Sequence, residues 1–247
     1  MGLEQVYSRY VSEQELYGRN GYAALDFRCH QLFGYVDTLM GKRMLEVGGG
    51  EGLFSAWALV KGAEKAIILE PEGAGSSSGV GRRFLQHRTA LGFSPEQLAL
   101  IPATLQEYKA EDAPFDIILS YSSINHIDED ACIILRSSPE ARASYIRVFE
   151  KLFSWLRPGG SLVISDAGRV NYWHQLGMRC PVAPTIEWQK HQEPEFWMDL
   201  LARVGFEFVA QEWHQFYPLR SLGAFSSNRI VARLTSSQFV LTVRRPQ

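Results

Sequence analysis

The densest chemical signal in the chain is a glycine turn with an acid in front of it. Gly48, Gly49, Gly50 and Gly52 follow a short apolar run, Arg43 to Val47, and lead into Leu53 to Lys61. In that second stretch Leu53, Phe54, Trp57 and Val60 share one helical side, and Gly62 is placed to end it. A strand that turns through glycines into a helix offers backbone N–H groups and a helix N-terminus to a ligand. A dinucleotide pyrophosphate wants G-x-G-x-x-G/A at such a turn. Here the sixth position is Leu53 counted from Gly48 and Ser55 counted from Gly50, so the pattern fails in both registers. Glu46, two residues before Gly48, would repel a pyrophosphate and suits a ligand that carries an ammonium group.

A second group of reactive types lies further on. Gly168 to Glu195 carries Tyr172, Trp173, His174, Met178, Trp188, Lys190 and His191. Aromatic residues beside histidines, beyond the end of a strand, suit a substrate pocket or a lid. A packed connection with incidental histidines is the competing reading. The tyrosine-rich stretch 1–40 poses the same choice, a lid or a helical cap that only packs, with Ala23, Ala24, Phe27, Gln31 and Leu32 suggesting one apolar face. Among the six histidines no two stand at helical ligand spacing with an acid, so no metal site is expected. Asp128, Glu129 and Asp130 read as a solvated turn.

The elements that must position these residues alternate. Strands are expected at Arg43–Val47, Ala66–Glu70, Leu98–Pro102, Phe115–Ser120 and Ser161–Ser165. Helices are expected at Arg82–Leu91 and Tyr145–Leu156, the second stopped by Pro158-Gly159-Gly160. A Gly- and Ser-rich loop, Gly73 to Gly81, separates the second strand from its helix. Short, wholly apolar strands between amphipathic helices indicate a parallel sheet covered on both faces. The end differs: a helix at Glu195–Arg203, then strands at Phe206–Trp213 and Phe239–Val243 with no helix of convincing length between them. Those two strands are expected to pair antiparallel.

Five segments in order carry a family resemblance. LEVGGGEG, Leu45 to Gly52, resembles the first motif of class I S-adenosyl-L-methionine (SAM) methyltransferases, acid-x-Gly-x-Gly. Glu70 closes the second strand as that family's ribose-binding acid does. FDIILSYSSINHI (Phe115 to Ile127), LRPGGSLVIS (Leu156 to Ser165) and KHQEPEFWMDLLARVGF (Lys190 to Phe206) resemble its fourth strand and following loop, its fifth-strand approach and its late helix and strand. The resemblance covers about Gly41 to Trp213. It implies an α/β, Rossmann-like, seven-stranded, mostly parallel sheet with the last strand antiparallel and helices on both faces. It implies one methyltransferase domain over 1–247, with 1–40 as a cap and 168–195 as an acceptor-side insertion.

The resemblance also implies roles. Glu46 lies near the methionine part of SAM, Gly48 and Gly50 let the backbone approach it, and Glu70 accepts the ribose hydroxyls. The stretch just after the third strand, Ala103 to Gln106, holds no Asp, so Thr104 and Leu105 stand for the adenine contact, through backbone N–H and an apolar face. Ser120 ends the fourth strand, where a parallel sheet presents its crevice. His126 matches a histidine frequent in the family, as a general base or acceptor-orienting group or, equally open, as a capping residue. Tyr172, Trp173, His174 and His191 are the acceptor-pocket candidates. The reaction implied is in-line methyl transfer to a small molecule, with S-adenosyl-L-homocysteine as product.

Composition narrows the field. The 247 residues are 46% hydrophobic and 21% charged, ordinary globular values that exclude a disordered or collagen-like chain. A formal charge of -2 argues against a broad nucleic-acid surface. No Asn/Asp-Pro-Pro-aromatic signature follows the fourth strand, where Ser122-Ser123-Ile124-Asn125 stands. Cys29, Cys132 and Cys180 are far apart, which suits a reducing cytoplasm. No apolar run approaches the ~20 residues of a membrane span. Two rivals stay open: an oxidoreductase on a Rossmann sheet, and a SAM-binding regulatory protein without transferase activity.

Overall fold

The computed structural model describes residues 2–73, 78–111 and 114–247. Positions 74–77 of the expected Gly/Ser loop lie outside the described residues. The chain forms two compact units, Met1–Tyr121 and Ser122–Gln247.

In the first unit, α1 (Leu3–Glu13) and α2 (Gly21–Phe33) precede β1 (Arg43–Val47). Then come α3 (Leu53–Val60), β2 (Lys65–Leu69), α4 (Val80–Leu91), β3 (Leu98–Ile101) and β4 (Phe115–Tyr121). β1 pairs in parallel with β2 and β4, and β2 with β3. Met44 to Val47 and Ala66 to Leu69 are buried without alternation, the signature of strands covered on both faces. The register sets Val47 beside Leu69 and Ser120, and Leu69 beside Ile101. The C-terminal ends of the four strands therefore share one edge.

The N-terminal helices are bound to this unit by polar bonds. The buried Tyr7 hydroxyl donates to the Leu53 carbonyl (2.6 Å), and the Trp57 indole donates to Asp26 (2.9 Å). The buried face of α2 is Ala24, Leu25, Cys29, Leu32 and Phe33. The expected face included Ala23, which is exposed; the stripe is turned by about one residue because Leu25 and Cys29 fill the core.

The second unit contains α5 (Glu129–Ile134), α6 (Pro139–Trp155), β5 (Leu156–Ala167), α7 (Tyr172–Gln175) and α8 (Pro194–Val204). It closes with β6 (Glu207–Trp213), α9 (Arg229–Leu234) and β7 (Gln238–Arg244). β7 pairs antiparallel with both β5 and β6, and the full strand order is β3-β2-β1-β4-β5-β7-β6. The expected seven-stranded, mostly parallel sheet with an antiparallel last strand is thus present.

Most boundaries differ from the sequence reading by one or two residues, and those of α5, α6 and β5 by more. The helix expected from Tyr145 begins at Pro139, because Ser138 caps it (Ala141 N–H to Oγ, 3.1 Å) and proline fits a first turn. It ends at Trp155, since Arg157 precedes a proline and is steered toward extended backbone. Pro158-Gly159-Gly160 consequently lies inside β5, where Gly159 N–H donates to the Arg245 carbonyl (2.9 Å). The expected acidic turn is instead a helix start: Asp128 accepts from Ala131 N–H (3.1 Å) and caps α5. Between β6 and β7 the six-residue α9 follows a 3-10 segment, Tyr217–Ser226.

Candidate functional site

The glycine turn is built around Glu46. Its carboxylate is 1% exposed, and Oε2 accepts from both the Ser55 N–H (3.1 Å) and the Ser55 hydroxyl (2.5 Å). Ser55 is the third residue of α3, so a strand side chain satisfies an N–H that the helix start leaves unpaired. Burial pushes the Glu46 carboxyl up to about 7, against the pull of the two Ser55 bonds and with a smaller push from Glu70. Gly48 (φ +68°) donates to the Leu69 carbonyl (2.8 Å), and Gly50 (φ +52°) donates to Glu70 Oε2 (2.8 Å). Glu46, the turn and Glu70 are thereby tied together at the ends of β1 and β2.

Two glycines here have no room for a side chain. A Cβ on Gly49 would stand 2.7 Å from Glu46 Cγ and Cδ and 2.8 Å from Ile68. Gly52 holds φ +80° at the start of α3, and a Cβ there would overlap Ile68. Gly52→Ala is expected to cost about 1–3 kcal/mol of stability, from left-handed strain plus overpacking, measurable by urea denaturation.

The other cofactor candidates lie along the same edge. Ser120 is fully buried at the end of β4. Thr104 follows β3, with its N–H and hydroxyl both donating to Glu107 (3.0 and 2.8 Å), and Leu105 is buried. The Tyr121 ring packs on Phe54 (4.5 Å), and Tyr17 from the N-terminal stretch meets the same Phe54 (6.3 Å). Glu107 and Ser55 are the participants that sequence reasoning missed. Ser55 was legible only as the failed sixth position of a dinucleotide pattern.

In the second unit a cavity of about 210 Å³ is lined by Ser122, Asn125, His126, Asp166, Lys190 and His191, among others. Asp166 is 1% exposed, and its two oxygens lie 3.1 and 3.2 Å from His191 Nδ1. His126, half-exposed, pairs with Glu129, which also meets Lys190 (3.0 Å); Lys190 in turn meets Glu187 (2.7 Å). His126 and Lys190 together hold the Glu129 carboxyl below its usual range.

The structure therefore brings His126 and His191 to one cavity. Tyr172, Trp173 and His174 do not line it. They form α7, capped by Asn171, with the Trp173 indole donating to the Leu234 carbonyl (2.8 Å). Trp173 packs on Ala167, Cys180 and Trp188, and His174 faces Trp188 at 6.4 Å. Asp166 was missed because the fifth strand was expected to stop at Ser165. An acid at the C-terminal end of an apolar run, as Glu70 is just past β2, was the signal available.

An acid-flanked glycine turn, an acid closing the second strand and this strand order define a class I SAM-dependent methyltransferase fold. The sequence matches a family described as "Methyltransferase domain" over residues 17–223, and the chain belongs to that family. SAM is the cofactor of this class and S-adenosyl-L-homocysteine its product. A SAM-dependent methyltransferase from Mesorhizobium loti is 15% identical (87% of this chain, 95% of that one; TM-score 0.58). One from Aquifex aeolicus is 12% identical (87% of each chain; TM-score 0.57). The [4+2]-cyclase SpnF has the same fold at 16% identity (90% and 80%; TM-score 0.60). At these identities the likeness is one of fold alone. A curated relative, the tRNA U34 carboxymethyltransferase of Methylococcus capsulatus, is 30% identical over 152 residues. That match takes in 59% of this chain and 40% of the relative's length.

Proposed function

We propose that this protein transfers the methyl group of SAM to a small-molecule acceptor by in-line displacement. The observation that carries the reading is the Glu46–Gly50–Glu70 arrangement at the end of β1. The residues fit the cofactor chemically: a buried carboxylate suits the ammonium, a turn backbone with open space over Gly50 admits close approach, and Glu70 suits the ribose hydroxyls. Gly48, Thr104, Leu105 and Ser120 complete the proposed cofactor wall. When bound, SAM supplies a methyl group already activated on a sulfonium. The chain's own task is then to hold two reactants in line, which is worth about 7–11 kcal/mol of barrier.

In this reading both units make up one methyltransferase domain. The stretch 1–40 acts as a cap over the cofactor turn, supported by the Tyr7–Leu53 bond and the Tyr17–Phe54 contact. The stretch 168–195 serves the acceptor through His191, with His126 lining the same cavity as the other candidate. A small acceptor is favoured over tRNA by the net charge of -2 and by the size of the cavity. Among the described residues no helix is long and apolar enough to cross a membrane. A cytoplasmic location fits three free, buried cysteines.

Calorimetric titration with SAM, S-adenosyl-L-homocysteine and NAD tests the reading. Micromolar binding of the first two is expected, with no binding of NAD. Glu70→Ala should weaken SAM at least tenfold, since each charge-assisted bond to a ribose hydroxyl is worth about 1.5–3 kcal/mol. Unchanged affinity in that variant would remove Glu70 from the site. SAM binding with no methyl transferred to any extract component or to tRNA would favour the regulatory alternative.

A further inference from the structure

The second-unit cavity contains a polar group that the fold leaves incomplete. Asn125 is 1% exposed and lines the cavity, yet neither its Oδ1 nor its Nδ2 has a partner among the described residues. A buried primary amide with both ends unpaired is costly, and such groups are almost always completed by something. The turn that carries it is held from behind: the Tyr145 hydroxyl reaches the carbonyls of Ile124 (3.0 Å) and Asp128 (3.2 Å). Asn125 is therefore fixed in place, and a ligand in the cavity is what can offer it both a donor and an acceptor.

Beside it stands a histidine of defined tautomer. The buried Asp166 carboxylate faces His191 Nδ1, so Nδ1 carries a proton toward it, and in the neutral ring the lone pair is then on Nε2. A carboxylate this buried both orients the ring and stabilises the imidazolium that forms when Nε2 takes a proton. An amine acceptor needs no such pair, since it reacts once neutral. An oxygen acceptor does, because a neutral hydroxyl is a weak nucleophile.

We propose that the cavity takes a small hydroxy compound bearing a carbonyl or a second hydroxyl next to the reacting oxygen, with His191 Nε2 as general base and the Asn125 amide gripping the neighbouring group. This rests on the methyl-transfer reading above. The acceptor O–H proton passes to Nε2 while the oxygen forms its bond to the methyl carbon. The carbon–sulfur bond breaks with its electron pair kept by sulfur, and the imidazolium later releases the proton to water. Asp166 is a positioning residue: it acts through His191. The charged groups around His191 are Asp166 from β5, its neighbour Lys190 with Glu187, and the His126–Glu129 pair at the start of α5.

The test uses the full chain, labelled SAM and a matched panel: catechol and 2-hydroxyacetophenone against their amino and thiol counterparts. Methyl transfer to oxygen is expected, with none to nitrogen. His191→Gln should lower kcat about 10²- to 10⁴-fold, the range for a general base, and remove the acidic limb of the pH–rate profile. Asp166→Asn should lower kcat less and shift that limb. Asn125→Leu should raise the acceptor KM at least tenfold without lowering Tm, because the fold loses only an incomplete amide. All three variants should bind SAM as the parent does. If the parent fails to bind SAM, the methyl-transfer reading falls. If SAM binds and the methyl goes to nitrogen or sulfur, the present proposal falls alone. The same holds if no panel member is methylated, or if His191→Gln stays within threefold of the parent.

Discussion

The affinity for SAM is expected to pass through a maximum near pH 7.5 and to fall about fivefold by pH 6. The cause is Glu46. Burial raises its carboxyl to about 7 in the ligand-free protein, so below that pH it is mostly neutral and must ionise to meet the cofactor's ammonium. Each pH unit below the shifted value then costs close to tenfold in affinity. On the alkaline side the cofactor's own α-amino group loses its proton, with an ordinary pKa of about 7.7–8.0, and affinity falls again. Glu46→Gln should abolish the acidic limb and weaken binding about 100-fold at pH 7.5, or about 2.7 kcal/mol. The amide can still accept from Ser55, so the turn is kept while the charge is lost. Calorimetry across the pH range reads both effects; a flat profile in the parent would remove the ion pair from the site. The same shift has a consequence for stability. A carboxyl raised from 4.5 to about 7 on folding stabilises the fold fully below 4.5, and this contribution is lost as pH rises through 7. The loss is on the order of 3 kcal/mol. Ligand-free Glu46→Gln should therefore be more stable than the parent at pH 8 and no more stable at pH 4.5.

Glu46 was legible in the sequence as an acid, but its buried state was not. The sequence shows which residue type stands before the turn; its desolvation depends on Ile68 and Ser55, which reach it only after β2 and α3 pack. The parallel strands were readable to within a residue or two, because a strand covered on both faces writes itself as an unbroken apolar run, as IIL at 67–69 and IIL at 117–119 do. β5 was not readable to its ends. Pro158-Gly159-Gly160 carries the marks of a turn, and only pairing with Arg245, far along the chain, makes it strand. The candidate acceptor residues show the same divide. His191 drew attention as a histidine in a stretch rich in aromatic residues, and its partner Asp166 did not, since their meeting joins β5 to a loop 25 residues later. Tyr172, Trp173 and His174 looked like pocket residues because aromatic and imidazole rings serve pockets and cores equally. Local sequence holds nothing that separates the two uses; what separates them is that the Trp173 indole reaches the Leu234 carbonyl, sixty-one residues away.

Trp197→Ala is expected to destabilise the protein by about 3–5 kcal/mol, the usual cost of deleting a large buried aromatic. Trp197 is fully buried on α8, with the rings of Tyr145 and Phe149 on α6 at 5.1 and 5.9 Å. For a chain of this size each kcal/mol moves Tm by roughly 2–4 °C, so a drop of about 6–20 °C should be seen by calorimetry. Trp197→Phe should cost less than Trp197→Ala, about 1–2 kcal/mol, because it keeps a ring in the cluster and leaves a smaller void. The indole Nε1 has no partner among the described residues, so replacing it gives up no hydrogen bond and removes an unpaired buried donor. The pair of variants separates packing from polarity: equal losses would mean the indole is doing something beyond filling space. The effect should also reach the cavity. Tyr145 is both a wall of the Trp197 cluster and the residue whose hydroxyl holds the Ile124–Asn125 turn. When the wall opposite its ring is removed, that hydroxyl loses its fixed direction, and Asn125 loses its support with it. At temperatures where Trp197→Ala is still folded, the acceptor KM should therefore rise while SAM affinity, which the proposed site assigns to Glu46, Glu70 and the glycine turn, stays within twofold of the parent. Tyr145→Phe should give the same rise in KM with a much smaller change in Tm, because it removes the tether and leaves the ring.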